Sequence, residues 1–200
     1  MSIAIKFRYS LVLGAVALAS ACGSPAPAAA SVHTGSGSLA RALEVQVPAP
    51  PPAAAPPVRI QIPKLNVDAP VEIRSVGPDG VSEAPADPHD VAWYDFSDRP
   101  GEPGIALFAG HRDWWGIGPT VFYGLDSLQK GDEITVLGKD GMQHRYRVVQ
   151  GYLVDPDSRA GDLLAGTPGS IVVYTCDGAF DPLKGEYTRR FVVKADPVQA

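Results

Sequence analysis

Apolar and polar side chains alternate along this chain in short bursts that glycine and proline keep interrupting. Val58-Arg59-Ile60-Gln61-Ile62 alternates and is stopped by Pro63, and Glu133-Ile134-Thr135-Val136-Leu137 repeats the pattern. A period of two sends one set of side chains into a core and the other into water, so both segments predict half-buried strands. Val71-Glu72-Ile73 leads to a turn at Pro78-Asp79-Gly80, and Asp140-Gly141 signals a hairpin before a strand over residues 144–150. Ile105-Ala106-Leu107-Phe108-Ala109 and Ile171-Val172-Val173-Tyr174-Thr175 are apolar runs that read as buried strands, and residues 190–194 complete the set. Helical periodicity is brief, around residues 122–128 and 159–164. Many short strands joined by Gly and Pro turns predict an all-β domain, either a barrel or a sandwich.

Ahead of the strands the pattern changes twice. Lys6 and Arg8 precede an apolar run over residues 11–18, and Ala19-Ser20-Ala21-Cys22 follows with small side chains, the layout of an export signal. The apolar run is shorter than the roughly 20 residues a membrane span requires, so cleavage is expected rather than permanent anchoring. Residues 18–22 resemble a bacterial lipobox, which would free Cys22 for lipidation. Ordinary cleavage after Ala21 is the alternative. Residues 23–57 are rich in Ala, Pro, Ser and Gly and end in Pro48-Ala49-Pro50-Pro51-Pro52 and Pro56-Pro57. Such a composition buries too little apolar surface to offset its ordering entropy and predicts a disordered spacer. The expected organisation is a signal segment over 1–22, a spacer over 23–57 and one folded domain over 58–197, held to a membrane if Cys22 is lipidated.

Composition narrows the function. A formal net charge of −5 and no basic run argue against nucleic acid as a partner. No glycine-rich phosphate loop and no Cys or His pair at metal-ligand spacing is present, so neither cofactor nor metal is expected. The chain has two cysteines. With Cys22 in the signal segment, Cys176 lacks a disulfide partner in the folded part, and a lone thiol in an exported protein is either a buried small hydrophobe or a nucleophile. Cys176 closes the apolar run 170–175 and is followed by Asp177-Gly178, so the strand is expected to end at a turn with the thiol at its edge. Of the four histidines, His33 lies in the spacer, His144 in an alternating strand and His89 in a polar loop, whereas His111 follows Phe108-Ala109-Gly110 at the end of a buried strand. Two such strand ends meeting at one rim would join imidazole to thiol. Arg189 and Arg190 open the last apolar strand, and because neighbours on a strand face opposite ways, only one of them can reach that site. A guanidinium there would supply fixed donors to an oxyanion. Asp113 could orient His111, and Asp177 would oppose ionisation of the thiol if it faced the sulfur.

Ala109-Gly110-His111, Val173-Tyr174-Thr175-Cys176 and Arg190-Phe191-Val192-Val193, in this order and spacing, resemble the His, Thr-Cys and Arg motifs of the sortases, cysteine transpeptidases of bacterial surfaces. Residues 57–65 (Pro-Val-Arg-Ile-Gln-Ile-Pro-Lys-Leu) and Trp93-Tyr94 followed by Pro100-Gly101-Glu102-Pro103-Gly104 are similar to the actinobacterial class E and F group. The resemblance implies an eight-stranded β-barrel with its site at one rim. It also implies that Cys176 attacks the Thr-Gly bond of a Leu-Pro-X-Thr-Gly sorting signal on a surface protein, that His111 protonates the leaving amine and that Arg190 stabilises the intermediate. Arg189 stands in reserve, and Thr175 and Trp114 are candidates for contact with substrate. The acceptor would be an amine of a peptidoglycan precursor or of another protein, on the extracytoplasmic face of the membrane or in the cell wall. A cysteine hydrolase on the same barrel and a lipid-anchored binding module are the alternatives.

Overall fold

The computed structural model describes residues 53–198 apart from Asp79 and Arg159. The export segment, residues 23–52 of the spacer, Cys22 and His33 lie outside the described residues, whereas residues 53–57 are described and Pro57 already opens the first strand. The strands are β1 (Pro57–Ile62), β2 (Val67–Arg74), β3 (Val91–Tyr94), β4 (Ala106–Gly110), β5 (Asp113–Trp114), β6 (Gly118–Pro119), β7 (Glu133–Gly138), β8 (Gln143–Val154), β9 (Ile171–Asp181) and β10 (Glu186–Pro197). Eight of them close a barrel in the order β1-β2-β3-β4-β9-β10-β8-β7, with β7 pairing back onto β1, while β5 and β6 form a separate two-stranded hairpin. The all-β expectation holds, and closure removes the edges of the eight-stranded sheet.

The two predicted helical stretches shrink to a 3-10 turn at Leu125–Ser127 and a single turn, α1 (Ala160–Leu163). Phe122 and Leu125 are nevertheless fully buried and plug the barrel. The Asp140-Gly141 hairpin forms as expected, with Gly141 at φ 83° and the Gly138 amide donating to the Met142 carbonyl at 2.8 Å. β3 is the barrel strand that the hydrophobic pattern does not flag. It has four residues, all buried, and a run that short offers no alternation to detect.

The apolar pattern also maps the layers. β7 alternates buried and half-buried positions because its outer face meets solvent. β4 and the first six residues of β9 are buried throughout because both of their faces are covered. Ala106, Phe108, Ile171 and Val173 point into the barrel core. Leu107, Ala109, Val172, Tyr174 and Cys176 belong to a second cluster completed by Ala92, Tyr94, Val192 and Leu163 of α1. An uninterrupted apolar run thus marks the part of the barrel wall that carries a second, outer layer.

Two neighbouring strand pairs are parallel, β2 with β3 and β4 with β9. Parallel neighbours need long crossovers, here residues 75–90 and 111–170, and these bring Ala84, Pro85, Trp114 and Leu163 to the candidate site. Gly110 sits where the second crossover leaves β4. A Cβ there would come within 2.5 Å of the Phe122 ring and 2.8 Å of Val121. Gly110→Ala is therefore expected to lower the unfolding free energy by about 1–3 kcal/mol through overpacking. A urea melt checks this, and an unchanged midpoint would mean that the Phe122 plug yields without cost.

Candidate active site

Because β4 and β9 are parallel, both deliver their C-terminal ends to one rim. Their Cα partners run from Ala106 with Ile171 to Ala109 with Tyr174. The same offset carried two residues further sets His111 level with Cys176. The Thr175 hydroxyl ties this end of the pair together by donating to the Gly110 carbonyl at 2.8 Å. On the other side of β9, antiparallel β10 presents Arg190 as the Cα partner of Cys176. Directly opposed residues of an antiparallel pair share a face, so guanidinium and thiol project together. All three side chains are covered: Cys176 is 2% exposed, His111 and Arg190 1% each.

The expected turn after Cys176 is absent. β9 continues to Asp181 with Asp177 still paired to Arg189, and the β9–β10 ladder shifts register at Gly178-Ala179 opposite Thr188, with Gly178 at φ 80°. A glycine at positive φ supports a bulge inside a ladder as readily as a turn, and the bulge keeps β10 paired on both sides of Arg190.

The polar groups divide into satisfied and waiting ones. His111 Nε2 lies 3.1 Å from the Pro85 carbonyl oxygen, which can only accept, so this nitrogen carries the proton. Nδ1 is buried with no partner. Arg190 Nη1 donates to the carbonyls of Tyr187 and Arg189, both at 3.0 Å, while Nε and Nη2 are buried with no partner. A buried cation with unmatched N–H groups is costly, and here its donors stand beside a free thiol. The crossover between β2 and β3 covers this arrangement, with Ala84 packed against the cluster that contains Cys176 and Pro85 holding His111.

The family model described as "Sortase domain" matches residues 60–198, well over half of the chain. The chain belongs to the sortase family. Sortase A of Corynebacterium diphtheriae, in a lid mutant, aligns at 22% identity over 74% of this chain and 72% of its own, with a TM-score of 0.54. Sortase C-1 of Actinomyces oris aligns at 23% identity over 71% and 73%, with a TM-score of 0.53. A sortase D5 transpeptidase of Clostridium perfringens aligns at 23% over 74% and 79%, with a TM-score of 0.51. At these identities the likeness is one of fold. A search among curated proteins returns no match. Sortases are cysteine transpeptidases that generally act outside the cytoplasm, so the chain falls in that general class.

In this sortase the other sequence candidates separate by strand face. Arg189 points away from Cys176, is exposed and pairs with Asp155 at 2.9 Å, which leaves Arg190 as the arginine at the thiol. The Thr175 hydroxyl is taken up by the Gly110 carbonyl, so it braces the two strands. Trp114 stands edge-on to the His111 ring, with centroids 4.8 Å apart at 87°. His89 is exposed beside Asp87, and His144 packs on Gly101, away from the cysteine. Among the described residues no group of three or more His, Cys, Asp or Glu could hold a metal ion.

The two carboxylates near the motifs are both engaged. Asp177 accepts from Arg112 Nη1 at 3.0 Å and from the Gly178 amide at 2.6 Å, so it turns away from the sulfur. Since Arg112 follows His111 and Asp177 follows Cys176, this ion pair clamps the two strand ends just beyond their last ladder contact. Asp113 accepts a hydrogen bond from the Tyr187 hydroxyl rather than orienting His111. Sequence reasoning missed Pro85, Arg112 and Tyr187. A carbonyl has no side-chain signature, but two opposite charges each following a candidate residue were a signal open to view.

Burial sets the protonation of the site. Desolvation pushes the Cys176 thiol above the ordinary cysteine value, and the Arg190 charge only partly offsets it. Desolvation lowers His111, against the opposing hydrogen bond to Pro85. At neutral pH the resting pair is therefore thiol and neutral imidazole. The unpartnered Nδ1 is the nitrogen left to receive a proton.

Proposed function

We propose that Cys176, His111 and Arg190 carry out acyl transfer on a Leu-Pro-X-Thr-Gly-type sorting signal. The Cys176 thiolate attacks the threonine carbonyl, and Nε and Nη2 of Arg190 donate to the oxyanion that forms. His111, protonated at Nδ1, gives its proton to the leaving glycine amine as the C–N bond breaks, which leaves a thioacyl-enzyme. Pro85 keeps a proton on Nε2 and so confines transfer to Nδ1. A second amine then attacks the thioester, the C–S bond breaks and the amine proton passes to His111. The observation that carries this reading is the buried guanidinium whose two donors have no partner, placed in register with the one free thiol among the described residues.

In the same reading residues 58–197 form the transferring domain, residues 23–57 the spacer and residues 1–22 the export segment, with a lipid on Cys22 holding the enzyme at the extracytoplasmic face. The resemblance of residues 57–65 and of Trp93-Tyr94 with residues 100–104 supports membership of the class E and F group within this reading. The acceptor is an amine of a peptidoglycan precursor or of a second protein. Mass spectrometry of the protein with a Leu-Pro-X-Thr-Gly peptide library, with and without an added amine, tests the reaction. Cleavage between Thr and Gly with the mass of an amine adduct supports it. A folded protein that yields only hydrolysed peptide is a hydrolase, and one that yields neither thioacyl-enzyme nor cleaved peptide is no transferase of this type.

The protonation state gives a pH signature. Turnover requires thiolate and imidazolium together, while burial favours the opposite pairing, so the active form is a minor species at every pH. The rate is expected to follow a bell whose acidic limb lies below the ordinary histidine value and whose alkaline limb lies above the ordinary cysteine value. Iodoacetamide labelling of Cys176 should rise through that same alkaline limb. A labelling midpoint below the ordinary cysteine value would sink this ordering.

A further inference from the structure

One open surface beside the candidate site has no part in the steps above. The β5–β6 hairpin and the far end of the β9–β10 hairpin enclose a groove of about 600 Å3. Trp114, Trp115, Tyr123, Phe180 and Tyr187 line its walls, and Asp113 lies among them. Trp115 is 96% exposed, and Ile117, Tyr123 and Phe180 are also open to solvent, so apolar surface gathers here rather than being scattered. The groove borders the site on two sides. Trp114 touches the His111 ring, and Tyr187 both lines the groove and packs against the cluster that contains Cys176.

The groove has one sign of unmatched charge. Asp113 accepts from the Tyr187 hydroxyl and pairs with no cation among the described residues, since neighbouring Arg112 is committed to Asp177. Asp113 also acts through space on both the Cys176 thiol and the His111 imidazole, opposing ionisation of the first and favouring protonation of the second. A carboxylate that works against the thiolate is a handicap in the first half of an acyl transfer. It is an asset in the second half, when a cation has to be brought to the thioester.

We propose that this groove is the entry subsite of the second substrate, a primary amine carried on a peptide chain, with Asp113 receiving its ammonium group and the aromatic walls holding the chain behind it. The inference rests on the transfer reaction proposed above. The Tyr123 ring already carries the Arg112 guanidinium, 5.4 Å from its centroid, so the Asp113 carboxylate and the indole rings concentrate the ammonium beside His111. The ammonium releases one proton to solvent through the open groove. The free amine attacks the thioester, the new N–C bond forms, the C–S bond breaks with its electron pair returning to Cys176, and the remaining excess proton on nitrogen passes to His111 Nδ1.

The test is the partition of one thioacyl-enzyme, formed by the full chain, between an acceptor and water. Triglycinamide supplies a peptide-borne ammonium, and hydroxylamine a small amine that is neutral at pH 7 and needs no groove. Mass spectrometry reads the ratio of adduct to hydrolysed acid, which is set after acylation and does not depend on its rate. In Asp113→Asn, which keeps an oxygen for the Tyr187 hydroxyl, the triglycinamide ratio is expected to fall about tenfold, the loss of one charge-assisted contact, while the hydroxylamine ratio stays put. Trp115→Ala, at a position too exposed to unfold the barrel, should lower the triglycinamide ratio in the same selective way. An equal fall for both acceptors, or no fall for triglycinamide, would overturn the subsite. A wild-type chain that forms no thioacyl-enzyme at all overturns the transfer reading itself, and this inference with it.

Discussion

Cys176→Ala is expected to abolish thioacyl-enzyme formation and to lower peptide cleavage by about 10^4-fold or more, the scale on which enzymes lose rate with their nucleophile. No second thiol in the described residues can substitute for it. The hydroxyl nearest in sequence, that of Thr175, lies on the opposite face of β9 and is bound to the Gly110 carbonyl. The fold should survive, because the substitution removes a single sulfur from a wall that β4, β10 and α1 continue to cover. A stability cost of about 1 kcal/mol is the scale for losing one buried group of that size. Intact-mass measurement after incubation with peptide, paired with a denaturant melt, separates the two effects. Retained cleavage by a folded Cys176→Ala protein would move the nucleophile elsewhere.

Arg190→Met is the sharper test, because activity and stability are expected to move differently. The methionine fills similar space but offers no N–H, so the oxyanion loses its fixed donors and the rate should fall by about 10^2–10^3-fold. Stability should hold or rise. The wild-type guanidinium is buried with no paired anion among the described residues and with Nε and Nη2 unmatched, and replacing such a charge by an apolar side chain is often neutral or stabilising by about 1–4 kcal/mol. Two hydrogen bonds from Nη1 to backbone carbonyls are lost, which offsets the gain by about 0.5–1.5 kcal/mol each. The alkaline limb of the pH profile should also move further up, since Arg190 is the charge that favours the thiolate. A parallel loss of rate and stability would instead mark Arg190 as a strut between β9 and β10.

These expectations join a stability cost to a chemical use, and the same logic explains what could be read in advance. Alternation at residues 58–62 and 133–137 was legible because one face of β1 and of β7 meets water. The unbroken runs that became β4 and β9 were legible as buried strands, yet nothing in them told an inner layer from an outer one. β3 escaped notice because four buried residues carry no period. In place of the turn predicted at Asp177-Gly178 there is a bulge at Gly178-Ala179, since glycine at positive φ serves both and only the pairing of β10 distinguishes them.

His111, Cys176 and Arg190 could be singled out from strand-end position and motif spacing, and alternation alone dictated that only one of Arg189 and Arg190 would face the thiol. Which one was a matter of register, and register is set by pairing across the ladder. The parallel alignment of β4 with β9, the Pro85 carbonyl that fixes the histidine tautomer, the Arg112–Asp177 clamp and the groove around Asp113 all join residues far apart in the chain. The sequence by itself determined seven of the eight barrel strands, the candidate groups and the family, because periodicity and motif spacing are local properties. Tertiary structure alone decided which donors are left waiting, which carboxylates are neutralised and which way the thiol and imidazole share their protons, because burial and charge pairing depend on distances that no local pattern encodes.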